Sequence, residues 1–267
     1  MAVYGFIGTG NMGGALARAV SRKVSPAQVL LSNRTAEKAQ ALAAELGCQA
    51  VDNQTAAAQA DYLFLGVKPQ MMADMLAGIA ETLARREQAP ILVTMAAGLT
   101  IESIRQMAGG DYPVIRIMPN TPASIGEGMI LYAVGSGVPE DAVETFLADM
   151  SGAGKFSLLP EHLIDAGSAV SGCGPAFVDL FIEALADGGV ACGLPRAKAL
   201  EFAAQMVLGS AKLVLETGKH PGDLKDAVCS PGGTTIQGVR VLEEQGFRAA
   251  AMDAVIAAYE KTVALKK

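Results

Sequence analysis

Two short glycine-rich segments carry residue types that could do chemistry, and they lie near opposite ends of the chain. The first is Gly8-Thr9-Gly10-Asn11-Met12-Gly13, which follows the apolar run Val3–Ile7 and opens a helical pattern. G-x-G-x-x-G between a strand and a helix is a dinucleotide fingerprint. Gly8 makes the tight turn, Gly10 lets backbone approach a pyrophosphate, and Gly13 lets the helix lie close to the sheet. The second segment is Ser230-Pro231-Gly232-Gly233-Thr234-Thr235, where Pro-Gly-Gly breaks one helix and Thr234 or Thr235 starts the next. Free amides of Gly233, Thr234 and Thr235 would form an anion site there, able to hold a small carboxylate without an arginine. A plain inter-helix turn capped by threonine is the other reading.

The second strand bears on the choice of cofactor. An NAD site usually ends that strand with Asp or Glu to hold the ribose 2′-OH. Here it ends Ser32-Asn33-Arg34-Thr35, with no acid. A carboxylate would repel a 2′-phosphate, whereas Arg34 can pair with it and Ser32 or Asn33 can hydrogen-bond it. NADP is the expected cofactor, with NADH used more weakly. Gly66-Val67-Lys68-Pro69 and Met95-Ala96-Ala97-Gly98 fall at the carboxyl ends of later strands, where doubly wound sheets bind ligands. Asn53, on a loop after a short third strand, could reach the adenine side. Ser171-Gly172-Cys173-Gly174-Pro175-Ala176 is either a tight helix start or room for a nicotinamide ring or substrate.

These segments need elements to position them. Val3–Ile7, Gln28–Ser32, Tyr62–Val67, Ile91–Met95 and Val114–Met118 read as strands. Met12–Arg22, Ala36–Leu46, Gln70–Arg85 and Ile101–Met107 read as helices between them. That alternation predicts parallel strands joined by right-handed crossovers, an α/β doubly wound sheet of Rossmann type. Met129–Val134, Pro139–Met150 and Lys155–Leu158 complete the domain. After about Pro160 no strand pattern follows. Pro175 and Pro195 suit helix starts, and Gly188-Gly189, Gly218 and Gly246 suit helix ends. The expected division is a cofactor domain at 1–160 and an all-α substrate and dimerisation domain at 161–267.

Composition narrows the classes. With 267 residues, 51% hydrophobic and 18% charged, the chain can bury a sizeable core. A net charge of -6 argues against a nucleic-acid or anionic-membrane partner. The apolar stretch Ala176–Cys192 is interrupted by Asp179, Glu183 and Asp187, so it does not read as a bilayer span. The four cysteines are far apart and form no C-x-x-C pair, which suits a reducing cytoplasm and no metal site. His162 and His220 lie beside no nucleophile, and Met71, Met72 and Met75 read as adaptable core filler.

Taken in order, these motifs resemble the pyrroline-5-carboxylate reductase family over essentially the whole chain. The residues concerned are Phe6-Ile7-Gly8-x-Gly10-Asn11-Met12-Gly13, Val67-Lys68-Pro69 and Arg116-x-Met118-Pro119-Asn120-Thr121-Pro122. Ser171-Gly172-x-Gly174-Pro175-Ala176 and Val228-x-Ser230-Pro231-Gly232-Gly233-Thr234-Thr235 complete the series. The resemblance implies a Rossmann domain followed by a helical dimerisation domain, with dimers often assembled further. It implies hydride transfer to the C=N carbon of 1-pyrroline-5-carboxylate, giving proline. It also implies that the Gly233–Thr235 amides hold the substrate carboxylate and the Thr235 hydroxyl contacts the ring nitrogen, with loop and nicotinamide from different subunits. Asn11, Met12, Asn53, Lys68 and Ala96–Gly98 would line the cofactor site. The sequence departs from the family at Cys173, where serine is common, and at Phe177, where tyrosine is common. A β-hydroxyacid dehydrogenase would share the domain plan but needs a lysine and an asparagine where this chain has Val178 and Phe181. A non-catalytic NADP-binding sensor would need no intact S-P-G-G-T-T loop.

Overall fold

Short strands buried on both faces organise the first half of the chain. In the computed structural model, which describes residues 1–264, β1 (Tyr4–Ile7) leads into α1 (Asn11–Val20). Then come β2 (Val29–Ser32), α2 (Ala36–Leu46), the two-residue β3 (Gln49–Ala50), α3 (Asn53–Gln59) and β4 (Tyr62–Leu65). They are followed by α4 (Met72–Ala84), β5 (Ile91–Thr94), α5 (Ile101–Ala108), β6 (Val114–Met118) and β7 (Gly128–Val134). The half closes with α6 (Glu140–Asp149), β8 (Gly154–Leu158) and α7 (Ile164–Ser171). Every residue of β1, β2, β4, β5 and β6 is buried. This is why they read as unbroken apolar runs. Alternate side chains serve two cores. Phe6, Leu31, Phe64, Val93 and Ile115 face Leu16, Leu42 and Phe146. Ile7, Leu63, Leu65, Leu92 and Val114 face Leu76, Ile79 and Ile104.

The strands form one sheet in the order β3-β2-β1-β4-β5-β6-β7-β8. The order reverses direction at β1, between β2 and β4, and doubly wound sheets bind ligands at that switch point. The sheet is mixed rather than all-parallel, because β7 runs antiparallel to β6. Their link, residues 119–127, contains only a 3-10 turn at Thr121–Ile125. A parallel return needs a crossover of a dozen or more residues, which this link cannot supply.

Contacts divide the chain into one unit of Met1–Cys173 with the segment from Ala258, and a second of Gly174–Ala257. The helical run therefore begins before the contact boundary, since α7 places Ile164 in the sheet's second core. The second unit contains α8 (Gly174–Ala191), α9 (Arg196–Thr217), α10 (Pro221–Val228), α11 (Thr234–Glu244) and the start of α12 (Phe247–Ala264). Gly218 and Gly246 do end helices, with φ of 63° and 73°. Gly188-Gly189 does not. Helix α8 continues through both glycines and the chain turns at Gly193, φ 97°. A side chain on Gly189 would press on Ala199, so its smallness serves the close approach of α8 to α9. By length and composition alone, Glu161–Ala191 is apolar enough to cross a membrane; a turn at Gly172 and Cys173 separates it into α7 and α8.

Candidate functional site

The glycine loop is built by close backbone contact. Gly8 has φ 103°, and a Cβ there would collide with the backbone of Gly66 at the end of β4. A Cβ on Gly13 would collide with the Gly8 carbonyl, whereas one on Gly10 would meet nothing within 4 Å. The first two glycines thus hold the loop against the sheet, and Gly10 leaves the space in front of it open. The Gly8 amide donates to the Ser32 carbonyl at 2.8 Å and the Gly66 amide to the Ile7 carbonyl at 2.8 Å, which ties together the ends of β1, β2 and β4. Thr9 Oγ1 is buried with no hydrogen-bond partner among the described residues.

A cleft of ≈ 690 Å³ opens over these strand ends. It brings Gly8 and Gly10 together with Asn33, Arg34, Asn53, Val67 and Lys68. A second hollow of ≈ 560 Å³, lined by Gln40, Val51 and Gln54, shares Asn33, Arg34 and Asn53 with it. Arg34 is exposed, and its nearest polar contact among the described residues is the Met71 sulfur, 3.9 Å from Nη1. The residues beside it have other tasks. The buried Ser32 hydroxyl donates to Asn53 Oδ1 at 2.6 Å. The Thr9 amide donates to Asn33 Oδ1 at 3.2 Å. Both side chains are therefore engaged, Asn33 with the glycine loop and Ser32 with the start of α3, which leaves Arg34 as the cation at the end of β2. Asn53 is the first residue of α3 rather than a loop residue. Asp52 caps that helix, and the Thr55 amide donating to Asp52 holds its carboxyl below the usual carboxylate range.

Lys38, Met71, Asp74 and Met75 also line the cleft, although sequence reasoning did not single out Lys38 or Asp74 and took the methionines as core. Met72 alone of the three methionines is fully buried. Lys38 lies in the first turn of α2, just past the strand end that carries Arg34, and only the packing of that helix brings it to the cleft. Asn11 is exposed at the head of α1, with Thr9, Met12 and Gly13 beside it and more covered. Pro69 begins the 3-10 turn before α4. Met95, Ala96, Ala97 and Gly98 follow β5 but do not line this cleft. Ala96 is buried, with its amide 3.4 Å from Thr94 Oγ1, and Gly98 turns the chain at φ 78°.

In the helical unit, Gly232 adopts φ 70° and Gly233 is the residue preceding α11. The Gly233 amide donates to the Ser230 carbonyl at 3.0 Å. This amide is engaged in the turn, contrary to the expectation that it is free. Neither threonine caps the helix; both are in its first turn, and both are exposed. Their amides have no acceptor among the described residues, as expected for the first turn of a helix. Thr234 and Thr235 therefore present two N–H groups and two hydroxyls together. His220 holds the start of α10, its Nδ1 accepting from the Gly222 amide at 3.0 Å. Val178 and Phe181 lie on α8, and Phe181 packs on Phe247 with ring centroids 5.5 Å apart. An apolar pair there provides no acid or base for hydroxyacid oxidation.

The open loop at Gly10, the orphaned Thr9 hydroxyl and the Arg34 cation fit a dinucleotide with a 2′-phosphate. Fold and cleft define a dinucleotide-binding α/β protein with an appended helical unit. Residues 161–265 match the family described as pyrroline-5-carboxylate reductase dimerisation, and residues 3–98 match NADP oxidoreductase, coenzyme F420-dependent. The chain is 44% identical over 267 residues to the pyrroline-5-carboxylate reductase of Escherichia coli (strain K12), covering 98% of each. The structure of a Plasmodium falciparum pyrroline carboxylate reductase with NADP bound matches with a TM-score of 0.89 at 30% identity, over 100% of this chain and 98% of that one. A Coxiella burnetii pyrroline-5-carboxylate reductase matches with a TM-score of 0.90 at 29% identity, over 100% and 99%. The chain belongs to the pyrroline-5-carboxylate reductase family.

Proposed function

We propose that this chain reduces 1-pyrroline-5-carboxylate to L-proline with NADPH, and with NADH more weakly, as a cytoplasmic homodimer that assembles into larger rings. In this reading residues 1–160 hold the dinucleotide and 161–267 serve substrate binding and dimerisation, without a membrane or nucleic-acid partner. When bound, the reduced nicotinamide supplies the hydride that the C=N carbon accepts. The chain's own residues bind and orient. The amides of Thr234 and Thr235 hold the substrate carboxylate, supported by the turn that Ser230, Gly232 and Gly233 form. The Thr235 hydroxyl contacts the ring nitrogen and sets the face of the ring. A protonated imine is already electrophilic and its reduction leaves a neutral amine, so no strong general acid is required. Catalysis then rests on orientation.

Arg34 pairs with the 2′-phosphate, and Gly8, Gly10 and the head of α1 receive the pyrophosphate. The observation that carries the reading is the first turn of α11, where two amides without acceptors lie beside two exposed threonine hydroxyls. The test is oxidation of NADPH and of NADH by the purified chain with 1-pyrroline-5-carboxylate. Turnover with both, and a lower KM for NADPH, is expected. Turnover with neither would overturn the reading.

A further inference from the structure

One motif of the sequence has no place in the dinucleotide cleft or the threonine turn: Arg116-x-Met118-Pro119-Asn120. Its two polar side chains are buried, Arg116 at 1% exposure and Asn120 at 8%, and both reach α7. Near the start of that helix, Arg116 Nη2 donates to Asp165 Oδ1 at 2.6 Å. At its end, Asn120 Nδ2 donates to the Ser171 carbonyl at 2.9 Å. Asn120 Oδ1 also accepts from the Met129 amide at 3.0 Å, so this one side chain joins the end of β6, the start of β7 and the end of α7. Between these anchors the helix lies hard against β7. A Cβ on Gly167 would come within 2.5 Å of a Leu131 methyl. The 3-10 turn that follows Asn120 packs on the other side against α1, the helix that the glycine loop opens, with Ala123 and Met12 in one core.

We propose that Asn120 is a positioning residue for the reduction. It fixes the Ser171 carbonyl, the point at which the chain leaves the sheet unit for the substrate-binding helices, to the turn that braces the dinucleotide helix. This inference rests on the proposed reductase activity. It goes beyond that activity by assigning a role to a side chain that touches neither ligand. Arg116 and Asp165 hold the other end of the same helix, so α7 is tied to the sheet unit at both ends. An anchor of this kind has a distinct kinetic signature. Loosening the Ser171 anchor leaves the dinucleotide cleft standing, because α1 stays packed on the Thr121–Ile125 turn and the strand ends of β1, β2 and β4 are held by their own backbone hydrogen bonds. Approach of the imine carbon to the cofactor loses its precision, and small misplacements cost much in rate.

The test uses the full-length protein with Asn120→Ala and, separately, Gly167→Ala, which crowds Leu131 and Leu159 beneath α7 without removing a hydrogen bond. NADPH affinity is read by fluorescence titration and turnover by steady-state kinetics. Both variants are expected to bind NADPH within about 2-fold of the parent chain while kcat/KM for 1-pyrroline-5-carboxylate falls about 10-fold or more. Unchanged kcat/KM in both variants would overturn the proposal. So would equal losses in NADPH affinity and turnover, the mark of general loosening. Lack of turnover by the parent chain would instead overturn the activity itself.

Discussion

The two units of this chain bury their apolar residues to very different extents. In the sheet unit the strands are covered on both faces, and large side chains such as Phe6, Phe64, Leu31 and Phe146 have no exposure. In the helical unit only Ala186, Ala199 and Ala203 form a buried cluster, while Leu180, Phe202, Leu208, Leu215 and Met252 are about half exposed or more. Exposed large apolar side chains in this number suit an interaction surface, and the family match of residues 161–265 is to a dimerisation domain. One unit completes its core within a single chain. The other leaves apolar side chains exposed within one chain, as suits a unit that matches a dimerisation domain.

The contrast breaks most readily at the helical surface. Leu208 and Leu215 lie seven residues apart on one side of α9, at 59% and 78% exposure. Replacing both with Glu places unpaired charge in an apolar contact and is expected to weaken dimerisation by a factor of ~1,000 or more. Sedimentation velocity should then show a monomer with little turnover but intact NADPH binding; an unchanged dimer would show that this face is not the interface. The next largest effect concerns the first turn of α11. Thr235→Val removes one hydroxyl and no backbone amide, and should lower kcat/KM for the imine by ~10–100-fold, the worth of one hydrogen bond to a polar substrate group. Near-normal turnover would remove Thr235 from the mechanism.

Cofactor choice sharpens the account of the sheet unit. Arg34→Ala should lower the NADPH over NADH preference by ~10-fold or more and leave kcat with NADH unaltered, as seen from the two KM values. The smallest effect lies in the same unit, at the end of β1 away from the cleft. Burial first, and then the hydrogen bond to Asp149 at 2.6 Å, raise the Tyr4 hydroxyl well above the ordinary tyrosine range; burial and nearby carboxylates push Tyr62 up to about 12. Both folded pKa values lie above the unfolded one, so their contribution to stability is complete below pH ~10 and is lost as pH rises above it. Tyr4→Phe should lower Tm modestly at neutral pH and flatten its decline above pH ~10. An equally steep alkaline decline would contradict that assignment.

Much of the sheet was legible because its strands are buried on both faces and joined by helices. Apolar runs and helical periods therefore stood out, and Gly8 and Gly13 announced the close contacts they make. The antiparallel return of β7 was not legible, since direction is set by the short link after Met118 and not by any property of β7 itself. Gly188-Gly189 misled for a related reason. A glycine needed for helix contact at Ala199 looks the same in sequence as one that ends a helix. At the cleft, Gly8, Gly10, Asn33, Arg34, Val67 and Lys68 were legible as residues at the ends of β1, β2 and β4, whereas residues 95–98 at the end of β5 do not line it. Lys38, Met71 and Met75 were not legible, because which side of a helix faces a cleft depends on the packing of α2 and α4. The engagement of Ser32 with Asn53 and of the Gly233 amide with Ser230 likewise depends on partners that spacing does not reveal.

The most direct measurement is a crystal structure of the full chain with L-proline and NADP. The account predicts the proline carboxylate on the amides of Thr234 and Thr235, the ring nitrogen at the Thr235 hydroxyl, and the 2′-phosphate beside Arg34. Proline bound elsewhere, with the first turn of α11 in contact only with protein or solvent, would contradict it.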